Sequence, residues 1–253
     1  MSKFPDALWV NVSPSLRRFD LPLVNLLSKE ISLGEWEYRQ TSDEPTSPTI
    51  AMALLHDYLK ICDRPLHLLA HGMGGLVIWL YAHRYPERVR SLTLLSVGVN
   101  PAIDWQAYYY NQLGRLPYFR KTVLMQVVQA LFDCHCRGTA IKFQQALERD
   151  LLTSLSPHSL YKQVDFFPAR VAAPLLVCGG DKDVVIDGDL LEGWQPWLKD
   201  CDRLRLCAEG NHFFHYFAPE VVREQIVDFW SSIEFFAPFV TQPACRSLET
   251  PIN

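Results

Sequence analysis

The sequence predicts an α/β fold, a mostly parallel sheet flanked by helices and interrupted by a helical insertion. Three observations carry this expectation. Short apolar runs alternate with helical stretches from Ala7 to Val97 in the order β-α-β-α-β-α-β, the pattern of parallel strands joined by right-handed crossovers. Residues 100–168 then show no strand pattern, and strands resume at Ala173. The expected division is a core of residues 1–99 and 169–236, a helical lid at 100–168, and a loose tail at 237–253.

Each element has its own warrant. Ala7 to Val12 reads as the first strand, followed by a loop through Arg18. Asp20 can cap the next helix, with Pro22 in its first turn and Leu23, Leu26 and Leu27 facing inward. Trp36 to Gln40 is a second strand, and Thr41 to Pro48 is a loop by its turn chemistry. From Thr49 to Ile61, Ile50, Leu54 and Tyr58 recur every four residues, as in an amphipathic helix. Leu66 to Leu69 is too short an apolar run for a helix and suits a buried strand. Leu76 to Ala82 is apolar on every side, as a helix sunk in a core would be. Ser91 to Val97 is the next strand.

Within the insertion, Ile103 to Gln112, Thr122 to Phe132 and Thr139 to Leu152 read as helices. The insertion is rich in Trp105, Tyr108, Tyr109, Tyr110, Tyr118, Phe119, Phe166 and Phe167. Two readings of these aromatics stand side by side: they pack the insertion onto the core, or several line an apolar cavity, with Trp105, Tyr108 and Tyr109 as the candidate lining. Ala173 to Cys178 is a strand, Gly188 to Lys199 a helix, Arg203 to Cys207 the last strand and Pro219 to Phe235 the terminal helix.

Composition excludes several functions. With 253 residues, 49% of them apolar, the chain can bury a large core. A net charge of −4 gives no sign of a nucleic-acid surface. No stretch approaches the roughly 20 apolar residues that span a bilayer, and Met1 to Asp6 lacks the apolar run of a signal peptide. Seven cysteines, an odd number, then suggest reduced thiols and a cytoplasmic location. The ligands of Cys134-His135-Cys136 are too close together for an ordinary zinc site. No metal is expected, and no cofactor.

The chemistry centres on Ala70-His71-Gly72-Met73-Gly74, between the strand and the buried helix. Strand, tight turn, helix is the setting of a G-x-S-x-G nucleophile elbow, but Gly72 stands in the serine slot. A dinucleotide-binding G-x-G-x-x-G fits worse. Val77 occupies its third glycine, and no acidic residue ends the strand from Leu92 to Val97. Gly74 and Gly75 are also what a helix packed tightly on its strand requires.

Residues 7 to 236 resemble the α/β-hydrolase superfamily. The segment from Ala70 to Gly75 resembles the common Gly-His-Ser-Met-Gly-Gly elbow, and Arg84 to Val89 the link to the next strand. The stretch from Gly180 to Asp183 is similar to the loop of the catalytic acid, and Gly210-Asn211-His212 to that of the catalytic histidine. Their order, nucleophile then acid then histidine, is the one this fold uses. With no room before Ala7 for the two N-terminal strands many relatives have, a sheet of about six strands is expected.

The resemblance implies Asp183 and His212 as the acid and base of a triad whose nucleophile position is Gly72. It implies oxyanion donors from Met73 and from Val12 or Ser13, where Asn11-Val12 replaces the usual His-Gly. Ser13, Ser96 and Cys178 are substitute nucleophiles to weigh, and His215 and Asp181 could displace His212 and Asp183. His71 is expected to be structural. Three functions follow from these residues: a pseudo-hydrolase that binds a small apolar ligand or a protein partner, a non-hydrolytic enzyme using Asp183 and His212 as a general-base pair, or a serine hydrolase inactivated by an engineered Ser→Gly change. Asp183 and His212 also have a bland reading, as a buried hydrogen-bonded pair.

Overall fold

The computed structural model describes residues 4–40, 47–100, 103–115, 119–134, 136–155 and 169–240. Strands β1 (Ala7–Asn11), β2 (Leu33–Glu37), β3 (Leu66–His71), β4 (Val89–Leu95), β5 (Leu175–Gly180) and β6 (Arg203–Cys207) form one six-stranded sheet. Its order is β2-β1-β3-β4-β5-β6, and every pairing is parallel. From β1 the chain runs outward to β2 and then crosses back to β3. The connections therefore diverge between β1 and β3, the switch point where α/β sheets bind ligands at their carboxyl ends.

Helices cover both faces, so β1 and β5 are buried at every residue. On one face α1 (Arg17–Leu27) and α9 (Pro219–Val240) close a core that includes Trp9, Leu23, Leu69, Val222, Ile226 and Phe229. On the other face α2 (Pro48–Leu59) packs beside α3 (Met73–Arg84). A Cβ on Gly74 would sit 2.6 Å from the Val10 carbonyl oxygen, and one on Gly75 would strike the Val97 side chain. The two glycines thus set how closely α3 lies on the sheet.

The insertion between β4 and β5 contains α4 (Trp105–Arg115), α5 (Arg120–Phe132) and α6 (Arg137–Thr153). It is fastened to the body by rings. Phe132 stacks on Phe213 at 4.4 Å, and Phe19 meets Phe132 at 4.7 Å and Phe143 at 5.1 Å. Two short helices, α7 (Gly188–Glu192) and α8 (Phe214–Phe217), follow β5 and β6.

Several boundaries differ from the expected ones. β2 begins at Leu33 rather than Trp36, because an edge strand takes its limits from its partner and Ala7 pairs with Leu33. Asp20 caps nothing: Pro14–Leu16 forms a 3-10 turn that runs directly into α1, leaving Asp20 inside the helix. The helix expected to reach Lys199 stops at Glu192, followed by Gly193 and a separate 3-10 turn containing Pro196. α4 starts at Trp105 because the Asp104 carboxylate accepts the Ala107 N–H at 2.8 Å. The terminal helix runs on to Val240, past the expected start of the tail. Residues 41–46, Tyr118, His135, residues 156–168 with Phe166 and Phe167, and residues 241–253 lie outside the described residues. Among the described residues no helix is long and apolar enough to cross a membrane.

His67 on β3 shows what burial inside the sheet does to an ionisable group. Its ring packs 5.0 Å from Trp230, and its Nδ1 pairs with Ser91 Oγ at 2.6 Å. Burial, helped by Arg90, pushes its pKa from 6.5 down to about 3. The unfolded chain therefore takes up this proton first, so the stability His67 confers is complete above pH 6.5 and drains away as pH falls toward 3. The slope for one such group is about 1.4 kcal/mol per pH unit. Urea denaturation at pH 7 and pH 5 is expected to show a smaller stability loss in His67→Gln than in the parent; equal losses would contradict the assignment.

Candidate active site

β3 delivers the chain to the switch point, where Gly72 turns it into α3. Gly72 has φ 53° and ψ −123°, a conformation L residues avoid and glycine adopts freely. The bend is pinned by the Gly72 N–H to the Leu95 carbonyl and the Gly75 N–H to the Gly72 carbonyl, both at 2.9 Å. A Cβ added to Gly72 would meet nothing within 4 Å. The position opens on a cavity that His212 also lines.

Asp183 follows β5 and His212 follows β6. Their loops interlock through glycines: a Cβ on Gly180 would fall inside the Gly210 carbonyl, and the Lys182 N–H reaches that carbonyl at 2.9 Å. His212 Nδ1 lies 2.9 Å from Asp183 Oδ2 and 3.1 Å from Oδ1. Oδ1 also accepts the N–H groups of Val185 at 2.8 Å and Ile186 at 3.1 Å. Burial works to raise the Asp183 carboxyl, but His212 and these two amides outweigh it and hold the group below the usual carboxylate range. With Nδ1–H given to the carboxylate, Nε2 is the ring nitrogen left to accept a proton.

The His212 backbone is held as firmly as its ring. Its carbonyl accepts His71 Nε2–H at 3.0 Å and the Ser96 hydroxyl at 2.9 Å. Ser96, at φ 49°, is thus engaged in positioning. Cys178 is fully buried in β5, and burial raises its thiol. His215 pairs with Asp20 instead of Asp183, and Asp181 is exposed.

The cavity is lined by Val12, Ser13, Met73 and Trp105 from the expected set, together with Asn11, Asp20, Asp104 and Gln106. A water's centre can reach about 20 Å³ of it, room for about one molecule. Met73 opens α3, so its N–H is one of the first-turn donors a helix leaves without an internal acceptor. The Ser13 N–H is already given to Asn11 Oδ1 at 2.7 Å, which leaves Val12 as the expected donor on that loop. Tyr109 lines a different cavity, with Tyr110, Leu124 and Leu151 on the insertion, and Tyr108 packs half-buried against the core.

Comparison with known proteins agrees with the fold. The α/β-hydrolase-fold family profile matches residues 52–131. The chain is 47% identical to an uncharacterised protein of Synechocystis sp. over 227 residues, 90% of each chain. The chain belongs to the α/β-hydrolase superfamily. It is 24% identical to mouse epoxide hydrolase 4 over 182 residues, 61% of this chain and 51% of the relative. Among solved structures, a bacterial membrane phospholipase A superposes with a TM-score of 0.68 at 19% identity, over 92% of this chain and 81% of that one.

Polar residues that the sequence gives no reason to select surround this cavity. Asp150, buried in α6, accepts Trp105 Nε1–H at 3.0 Å and binds Gln106 through its side chain and its carbonyl. Burial raises its carboxyl to about 7 against the pull of Ser154, Gln106 and Trp105. These bonds hold the two insertion residues at the cavity wall. Gly72→Ala would test how much conformation alone matters at the bend, since its methyl has open space. A stability loss of about 1–3 kcal/mol is expected from the backbone angles, read by urea denaturation; a neutral variant would mean the bend relaxes.

Proposed function

We propose that this protein is a pseudo-hydrolase, which keeps the α/β-hydrolase scaffold and the Asp183-His212 pair but has lost serine chemistry at Gly72. The observation that carries this reading is the glycine at the bend, facing the cavity that His212 lines and offering no oxygen. In the triad mechanism the serine oxygen attacks, the histidine takes its proton and the acid fixes the imidazole. Removing the nucleophile of a serine protease costs about 10⁶ in kcat, or about 8 kcal/mol. Glycine relieves the strain a serine would bear at this bend, which gives a chain without serine chemistry a reason to keep it.

The role left is to bind. On this reading the Met73 and Val12 amides are the donors that would hold an oxyanion, and the insertion is a lid that closes through Trp105. The space open in this closed arrangement suits a water-sized occupant. The apolar ligand suggested by the aromatic insertion would enter once that lid is displaced. The closeness of both Asp183 oxygens to His212 Nδ1 favours a second reading, in which the pair abstracts a proton without covalent catalysis.

Restoring the oxygen separates these readings. Gly72→Ser is expected to raise hydrolysis of short p-nitrophenyl esters by about 10² or more over the parent, with the gain abolished by adding His212→Ala. No gain would mean the oxyanion and dyad geometry is unfit for acyl transfer. Ester hydrolysis by the parent that disappears in His212→Ala would overturn the pseudo-hydrolase reading.

A further inference from the structure

Asp20, His71 and His215 come from three distant parts of the chain and meet beneath the bend. One carboxylate oxygen and one nitrogen of each ring all lie within 4.8 Å of one another. We propose that these three residues form a binding site for a divalent first-row transition ion such as Zn(II). The inference does not depend on whether Gly72 has ended serine chemistry.

The donor set selects the ion. Two imidazoles and one carboxylate suit Zn(II), Fe(II) or Co(II), whereas Mg(II) and Ca(II) take oxygen donors. Bonds of about 2.0–2.2 Å place neighbouring ligand atoms roughly 3–4 Å apart, and His215 Nε2 already stands 3.0 Å from Asp20 Oδ1. His71 gives its Nε2–H to the His212 carbonyl at 3.0 Å, leaving Nδ1 with the lone pair. A ring nitrogen bonded to a backbone carbonyl while the other faces the ion is the usual support of a metal-bound histidine. Asp20 Oδ2 is likewise steadied by Trp9 Nε1–H at 3.2 Å.

Charge points the same way. The Asp20 carboxyl and the His215 ring are both buried. The Arg17 guanidinium is engaged with Glu35 on the surface at 2.9 Å. A cation among the three donors would offset the cost of burying the carboxylate's charge. Asp20 and His71 also line the Gly72 cavity, the side from which an ion and a water as further ligand would arrive.

The test uses the full chain, stripped with a chelator and dialysed. Titration with Co(II), followed by its visible absorption, and with Zn(II) by calorimetry is expected to show one equivalent bound. Asp20→Asn and His215→Gln should each weaken binding at least tenfold and remove the rise in melting temperature that Zn(II) gives the parent. The double variant Cys134→Ser/Cys136→Ser should bind as the parent does. The proposal is overturned if the stripped parent takes up neither ion, if both ligand variants bind like the parent, or if uptake vanishes with the two cysteines. Should one ligand variant fail to fold, the parent titration and the other variant still decide the matter.

Discussion

The carbonyl oxygen of His212 ties the functional end of the sheet together. His71, at the end of β3, and Ser96, just past β4, both donate to it, although it belongs to the loop after β6. Three strand ends are thereby fixed relative to one another at the switch point. Each of these two charge-neutral hydrogen bonds contributes about 1 kcal/mol net of the bond to water it replaces. Their larger effect is the penalty for leaving a buried carbonyl unmade, about 1–3 kcal/mol. The arrangement also explains Ser96 at φ 49°: the chain turns there so that the hydroxyl can reach across.

Glycines make these approaches physically accessible, each for a different reason. Gly72 is needed for its angles and has open space where a side chain would go. Gly74 is needed for space, against the Val10 carbonyl, and Gly180 for its contact with Gly210. The distinction bears on function. A residue required only for packing says nothing about chemistry, whereas a bend that projects into an empty cavity is a place where a side chain could have acted. Position 72 is of the second kind.

Much of the fold was legible because hydrophobic periodicity reports burial directly. The runs at Leu66 and Leu92 lie between two helical layers, so their strands are apolar on both faces. Edges were read less well: β2 is set by pairing with β1, a non-local event that its own residues do not encode. Asp183 and His212 stood out through the resemblance, because the glycine turns before them are similar to the family's acid and histidine loops and come in its order. Asp20, Asp104, Gln106 and Asp150 carry no such signal. They are single polar residues in helical stretches, and the partners of Asp20 and Gln106 lie far away in sequence, as Asp20 and His215 do at a separation of 195 residues. Local reasoning assigns Asp20 to a helix cap because capping is the only local use for an aspartate near a helix start.

The segment from His212 to His215 shows how apolar burial can position polar chemistry. Phe213 belongs to the core on the side of α3 and the insertion, and Phe214 to the core under α9. Both rings are almost wholly buried, and burying each is favourable by about 1.5–3 kcal/mol. The two phenylalanines therefore drive into opposite layers and fix the short stretch of backbone between them. His212 and His215, on either side, have little freedom left. One ring is carried to Asp183 and the other to Asp20, with His71 between them, its ring centroid 4.9 Å from that of His212 and 4.5 Å from that of His215. Hydrogen bonds alone would not hold two imidazole rings so close to two buried carboxyl groups, because each bond is nearly repaid by lost hydration. Here the hydrophobic terms supply the constraint, and the polar groups occupy the places that constraint leaves them.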